Sequence, residues 1–269
     1  MENFNSKILL NHAIDILKNA SINDHEWSVG GGTVLNHYYH HRLSKDIDVF
    51  IGDIQMLSLL SPRFNDRAED SLDYDEMANY ISLTYPEGKL DFIVGAQLSK
   101  FKPQKKLFMG HYVYLDDPVE IVTKKVFYRG DRVMARDIFD LSIVAATRLD
   151  DLVESLRQYP EKVKQFYNNF YNIIKEPDFL NQIPRKNSIL LPKESYIKNI
   201  VPTCKLLEER LADTTYKIHN IKNKKKETEF DALQRHYTEL EYNYNHLQSQ
   251  YKKITNALEC SQNKSNQKK

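Results

Sequence analysis

The chain has 269 residues, with 38 Lys and Arg against 37 Asp and Glu and a formal net charge of +1, which excludes a grossly basic nucleic-acid binder but not a local basic face. Hydrophobic residues make up 41%, the mean hydropathy is -0.60, no apolar run reaches the roughly eighteen residues of a membrane span, and the opening MENFNSKILL lacks a basic-then-apolar signal pattern, so a soluble cytoplasmic protein that makes no use of a membrane is expected. Cys204 and Cys260 lie far apart without a CxxC or His companion, which argues against a zinc site or a disulfide framework.

In chain order, Ile8, Leu9, Ala13, Ile16, Leu17 and Ala20 recur at helical spacing and predict an amphipathic helix over residues 4–20. Trp27–Val29 reads as a short apolar strand entering Gly30-Gly31-Gly32-Thr33, after which a second helix begins. Asp46-Ile47-Asp48-Val49-Phe50 reads as the next strand. Residues 53–76 are polar and read as a surface loop with a short helix. Tyr80–Tyr85 and Lys89–Val94 predict a hairpin about Pro86-Glu87-Gly88, and Tyr112–Leu115 a further strand. Asp116-Asp117-Pro118 is a helix start, opening helices over about 118–130 and 134–149.

From residue 150 glycine disappears, and Pro160, Pro177, Pro184, Pro192 and Pro202 imply short helices joined by turns. Phe230, Tyr237, Tyr244, Tyr251 and Leu258 then alternate in heptad phase with Leu233, Leu240, Leu247 and Ile254, about four heptads in all. An earlier stripe of Leu207, Leu211, Ile218 and Ile221 is out of phase with them, which favours a helical hairpin over one rod. The expected class is α+β: a mixed sheet with flanking helices over 1–149, an all-helical domain with a long coiled-coil-like hairpin over 150–260, and a disordered polar tail over 261–269. The helical domain could also serve oligomerisation.

The chemistry concentrates at Trp27–Phe50. Residues without Cβ at Gly30, Gly31 and Gly32 let the backbone turn sharply and approach a ligand, and the free amides of the helix that follows suit a phosphate. In a strand, i and i+2 share a face, so Asp46 and Asp48 point into one space. Burying two carboxylates side by side is costly without a cation, and an oxygen-rich site selects Mg²⁺ or Mn²⁺. Asp91, among Leu90, Phe92 and Ile93, carries the same argument, with a buried salt bridge as its alternative. Arg42 and Lys45 either balance the Asp pair or touch a triphosphate; Ser44 either bonds a nucleotide or caps the strand. His37, His40 and His41 read as a solvated helix face rather than a metal site. Asp137 and Asp140, at i and i+3, share one side of a helix and either serve the site, Asp137 first, or pair with Arg136 or Arg132.

Gly31-Gly32 followed about thirteen residues later by Asp-Ile-Asp-Val resembles the signature of the DNA polymerase β-like nucleotidyltransferases. The wording GGTVL…RLSKDIDVF is closer still to the AbiEii/AbiGii nucleotidyltransferase toxins. Lys89-Leu90-Asp91-Phe92-Ile93 resembles the strand carrying the third carboxylate, and Glu120 to Lys125, Arg129 and Arg136-Asp137…Asp140-Leu141 resemble the family's helical block. The resemblance covers residues 25–145. It implies a minimal nucleotidyltransferase domain and transfer of a nucleotidyl group from an NTP to an acceptor hydroxyl. Asp46, Asp48 and Asp91 would hold the metal, Gly30, Gly31, Gly32, Thr33, Arg42, Ser44 and Arg129 would meet the nucleotide, Lys125 would lie against the triphosphate, and Asp137 would assist. It further implies an RNA acceptor, the 3′ end of tRNA, and a cognate antitoxin. Two other readings are nucleotidylation of a protein or small molecule, and a non-catalytic interaction protein on a decayed enzyme fold. Lys222, Lys224, Lys225, Lys226, Lys252 and Lys253 are either solvated or contact an RNA backbone.

Overall fold

The 3.6-residue spacing of Leu9, Ala13, Ile16 and Leu17 winds Phe4–Asn19 into helix α1, which buries all four side chains. The structure, a computed structural model, describes residues 4–174, 203, 205–207 and 209–211. The chain divides into two compact units, Met1–Thr215 and Tyr216–Lys269; the Phe230–Leu258 heptad and the 261–269 tail lie outside the described residues.

Strand β1 (Trp27–Gly30) leads into α2 (Gly31–Tyr39), and β2 (Ile47–Ile51) returns beside it. A single turn, α3 (Ile54–Leu57), precedes β3 (Asp73–Met77), β4 (Tyr80–Tyr85) and β5 (Gly88–Val94). The hairpin β6 (Gln104–Phe108) and β7 (His111–Leu115) then feeds α4 (Pro118–Arg129), α5 (Ala135–Leu156) and α6 (Pro160–Ile174). The strands form one mixed sheet in the order β3-β4-β5-β2-β1-β7-β6. β1 pairs antiparallel to β2 and parallel to β7, while β2 and β5 are parallel.

Period-two alternation splits the sheet's residues between two faces. One face carries Val29, Ile47, Val49, Ile51, Leu90, Phe92 and Leu115, all at most 1% exposed, and α1 packs on its β2 and β5 strands. The other face carries Gly30, Asp48, Asp91 and Ser82, which fall in one row across β1, β2, β5 and β4. The sheet therefore holds its polar residues on the face away from its apolar core.

The helices expected between residues 4 and 149 and the strand hairpin about Pro86-Glu87-Gly88 are present, with three differences. Strand β3 overlaps the end of the stretch read as a surface loop: its residues are mostly exposed, so it has no apolar face to alternate. Strand β6, Gln-Lys-Lys-Leu-Phe, was missed because its charges mask the pattern, and only Phe108 is buried. Helix α5 continues beyond residue 149 to Leu156, with non-helical φ -139° and ψ 48° at Arg148. There Arg148 Nη1 donates to both oxygens of Asp117 at 2.7 Å, tying the kink to the start of α4.

Candidate active site

Gly31 has φ +70°, a conformation that favours glycine, and a Cβ there would stand 1.6 Å from Asp48 Oδ2. The Asp48 carboxylate thus rests directly against the glycine turn. Helix α2 starts at this point, and its N-cap Gly30 supplies no side chain to occupy the first amides. Gly30 itself faces Phe50 and Asp116, since a Cβ there would lie 2.6 Å from the Phe50 ring and 2.9 Å from Asp116 Oδ2. The turn and the Asp48 carboxylate form one surface because Gly31 lacks the Cβ that would occupy the carboxylate's place.

Asp46 lies one residue before β2 rather than in it, so strand alternation is not what aims its side chain. Its Oδ1 accepts the Lys89 amide at 3.1 Å, and its backbone oxygen accepts the Thr33 hydroxyl at 2.5 Å. Thr33, expected at the nucleotide, instead spends its hydroxyl holding the approach to β2. Asp91 stands beside Asp48 in register and accepts from Ser82 Oγ at 2.5 Å. Ser82 was not singled out from the sequence, although the hairpin about Pro86-Glu87 fixes it opposite Asp91.

Asp48 keeps some surface open to solvent, yet is densely surrounded by protein. Burial pushes its carboxyl up, Asp46 adds to this, and Lys125, Arg129 and Arg136 oppose it. Burial, then the charge of Asp48, raises Asp91 to about 6. Among the described residues no three His, Cys, Asp or Glu side chains converge as a finished metal cage. The donor set is nevertheless all-oxygen, acidic and mutually repelling, which fits a hard divalent cation.

Opposite the sheet, α4 and α5 bring four charged side chains together. Lys125, 9% exposed, donates to Asp137 Oδ1 at 3.0 Å and lies 3.2 Å from Asp140 Oδ2. Arg129 Nη1 is 3.7 Å from Asp137 Oδ1. Asp137 also caps α5 by accepting the Met134 amide at 3.1 Å. Asp140, fully buried, takes Arg42 Nε and Nη2, each at 2.7 Å, and His41 Nε2 at 2.7 Å. Burial alone would raise Asp140; the Arg42 guanidinium, then the Lys125 ammonium, hold its carboxyl well below the ordinary range.

These contacts change three expectations. His41 is 0% exposed and bonded to Asp140, so the three histidines do not form one solvated face. Arg42, 4% exposed, is committed to Asp140 beneath the turn, where a Cβ on Gly32 would lie 2.4 Å from its Nη2 and 2.9 Å from Ser44 Oγ. Asp137 and Asp140 pair with Lys125 rather than with Arg136 or Arg132. Lys124 is also buried: its Nζ meets Asp116 at 2.7 Å, lies 3.5 Å from Glu120 and sits 4.0 Å over the Phe50 ring. Sequence reasoning missed this second knot because adjacent lysines on a helix look solvated.

A family model described as nucleotidyl transferase AbiEii toxin, type IV TA system, matches residues 15–256. No match was found among curated proteins. Among solved structures, JHP933 from Helicobacter pylori is 18% identical with a TM-score of 0.39, covering 84% of this chain and 98% of that one. The nucleotidyltransferase toxin MenT4 from Mycobacterium tuberculosis is 14% identical with a TM-score of 0.42, covering 79% and 84%. No helix among the described residues is long and apolar enough to cross a membrane.

Proposed function

The chain belongs to the AbiEii nucleotidyltransferase toxin family, and from that premise we propose that it moves a nucleotidyl group from an NTP to the 3′ hydroxyl of a tRNA in an Mg²⁺- or Mn²⁺-dependent reaction. The observation that carries this reading is the row Gly30–Asp48–Asp91, two carboxylates side by side on adjoining strands at the glycine turn that opens α2. The family's description as the toxin of a type IV system supports a cognate antitoxin as partner.

In this reading the acceptor oxygen forms a bond to the α-phosphorus while the bond to the pyrophosphate breaks. A divalent cation held by Asp46, Asp48 and Asp91 would lower the pKa of the acceptor hydroxyl and neutralise the triphosphate. The amides of Gly31, Gly32 and Thr33 meet the β- and γ-phosphates at the positive end of α2. Lys125, steadied by Asp137, meets the charge that develops on the leaving pyrophosphate, with Arg129 behind it. Arg136 lies close enough to oppose the charge of Asp48 and adds to the same field. Little covalent chemistry falls to the protein; positioning and electrostatics do the work.

The test supplies each labelled NTP with Mg²⁺ to a mixture of total RNA and protein extract, using wild type and Asp48→Asn. Label entering tRNA with wild type alone is the expected result. Label entering protein would replace the acceptor, and equal label with both enzymes would overturn the site.

A further inference from the structure

Asp140 is where the two halves of the site meet, and no role in the reaction attaches to it so far. Its carboxylate is fully buried and receives four cationic or imidazole nitrogens: Arg42 Nε and Nη2, His41 Nε2 and Lys125 Nζ. His41 and Arg42 belong to the segment between α2 and β2, and Lys125 to α4, so two separate stretches of chain converge on one group of α5.

The distribution of charge among these contacts is informative. Arg42 forms a two-point fork with Asp140, which already matches the carboxylate's single charge. The Asp140 oxygen can therefore direct the Lys125 ammonium without consuming its charge. Asp137 holds the same ammonium from one turn earlier, but it is also shared with Arg129 and the Met134 amide. Arg42, Lys125 and Arg129 outnumber Asp137 and Asp140 by one, and Lys125 and Arg129 act on the charge of Asp48 as well.

We infer that Asp140 is a positioning residue: anchored by Arg42 and His41, it fixes the Lys125 ammonium in the direction of the NTP triphosphate. A lysine on a flexible stem loses rotamer freedom when it meets a phosphate, and a carboxylate that has already ordered it removes that cost before binding. This inference rests on the nucleotidyl-transfer reading, since it assigns Asp140 to Lys125 and Lys125 to the triphosphate.

The test is a double-mutant cycle on NTP affinity, which needs no knowledge of the acceptor. Non-hydrolysable analogues of the four NTPs are titrated with Mg²⁺ by calorimetry into the full chain, and the tightest is kept. The variants are wild type, Asp140→Asn, Lys125→Ala and the double variant, each checked for folding by circular dichroism. Lys125→Ala is expected to weaken the analogue about 10- to 100-fold, the range of a lost charge-assisted bond. Asp140→Asn should cost about 10-fold in the presence of Lys125 and less than about 3-fold in its absence, because a residue acting through another adds nothing once that other is gone. Equal losses in both backgrounds would overturn the inference while leaving the nucleotidyl-transfer reading intact. Failure of every analogue to bind wild type would overturn both. If Asp140→Asn does not fold, Arg42→Lys, which keeps the charge but loses the fork, replaces it in the same cycle under the same criteria.

Discussion

At Gly31 a left-handed backbone and a carboxylate in the space of a Cβ coincide, so a single methyl group collides with both the turn and Asp48. Gly31→Ala should lower folding stability by roughly 1–3 kcal/mol and abolish NTP binding, read by chemical unfolding and calorimetry. Asp48→Asn separates chemistry from folding: transfer should fall about 10³-fold or more, with the melting temperature in EDTA unchanged or raised, because a repelling buried charge has gone. Asp91 gives the matching pH signature. Its folded value of about 6 lies above its ordinary value of 3.8, so the folded state binds the proton more tightly. Its contribution to stability is therefore complete below about pH 4 and is lost as pH rises through 6. In EDTA, Asp91→Asn should match wild type near pH 4 and exceed it near pH 7.5 by on the order of 2 kcal/mol; equal stability at both would show Asp91 to be unperturbed.

At the scale of elements, α4 owes its place to buried charges as much as to its apolar face. Glu120, fully buried, accepts the amides of Leu98 at 2.9 Å and Ser99 at 2.7 Å and lies 3.5 Å from Lys124. Glu120→Ala would leave two amides and a cation without it, and unfolding by urea should show a loss of about 3–5 kcal/mol. The same helix shows where the sequence is readable and where it is not. The Asp117-Pro118 start and the length of α4 follow from capping chemistry that acts within a few residues. Asp116 and Asp137, the hydrogen-bond partners of Lys124 and Lys125, lie 8 and 12 residues away, and Asp140, the partner of His41 and Arg42, lies 99 and 98 residues away. Their burial is a property of packing between elements, which local pattern does not carry. The turn at Gly31 and the strand position of Asp48 were legible because turn geometry and strand period are local, whereas the bonds of Arg42 to Asp140 and of Thr33 to Asp46 were not. Strand β3 was illegible for the opposite reason: pairing on one side of a sheet edge leaves no apolar periodicity to read.

For the whole molecule, every residue placed at the candidate site falls within the unit Met1–Thr215, while the densest lysine run, Lys222 to Lys226, falls within Tyr216–Lys269. With a net charge of only +1, the chain has no global field to draw in an RNA, so affinity for the proposed RNA acceptor would have to come from local clusters. We propose that the second unit supplies such a cluster and takes no part in the chemistry. Each lysine that neutralises a phosphate releases a counterion, which steepens the fall of affinity with salt. A chain ending at Thr215 should therefore bind the same NTP analogue with unchanged affinity. It should bind RNA more weakly, with a slope of log affinity against log salt that is shallower by about one to three units, roughly 0.7–0.9 for each lost contact. Fluorescence anisotropy with labelled tRNA between about 50 and 200 mM salt measures both quantities. An unchanged slope would assign the lysines of the second unit to solvent and leave acceptor binding to Met1–Thr215, whereas loss of NTP binding would show that the second unit completes the site.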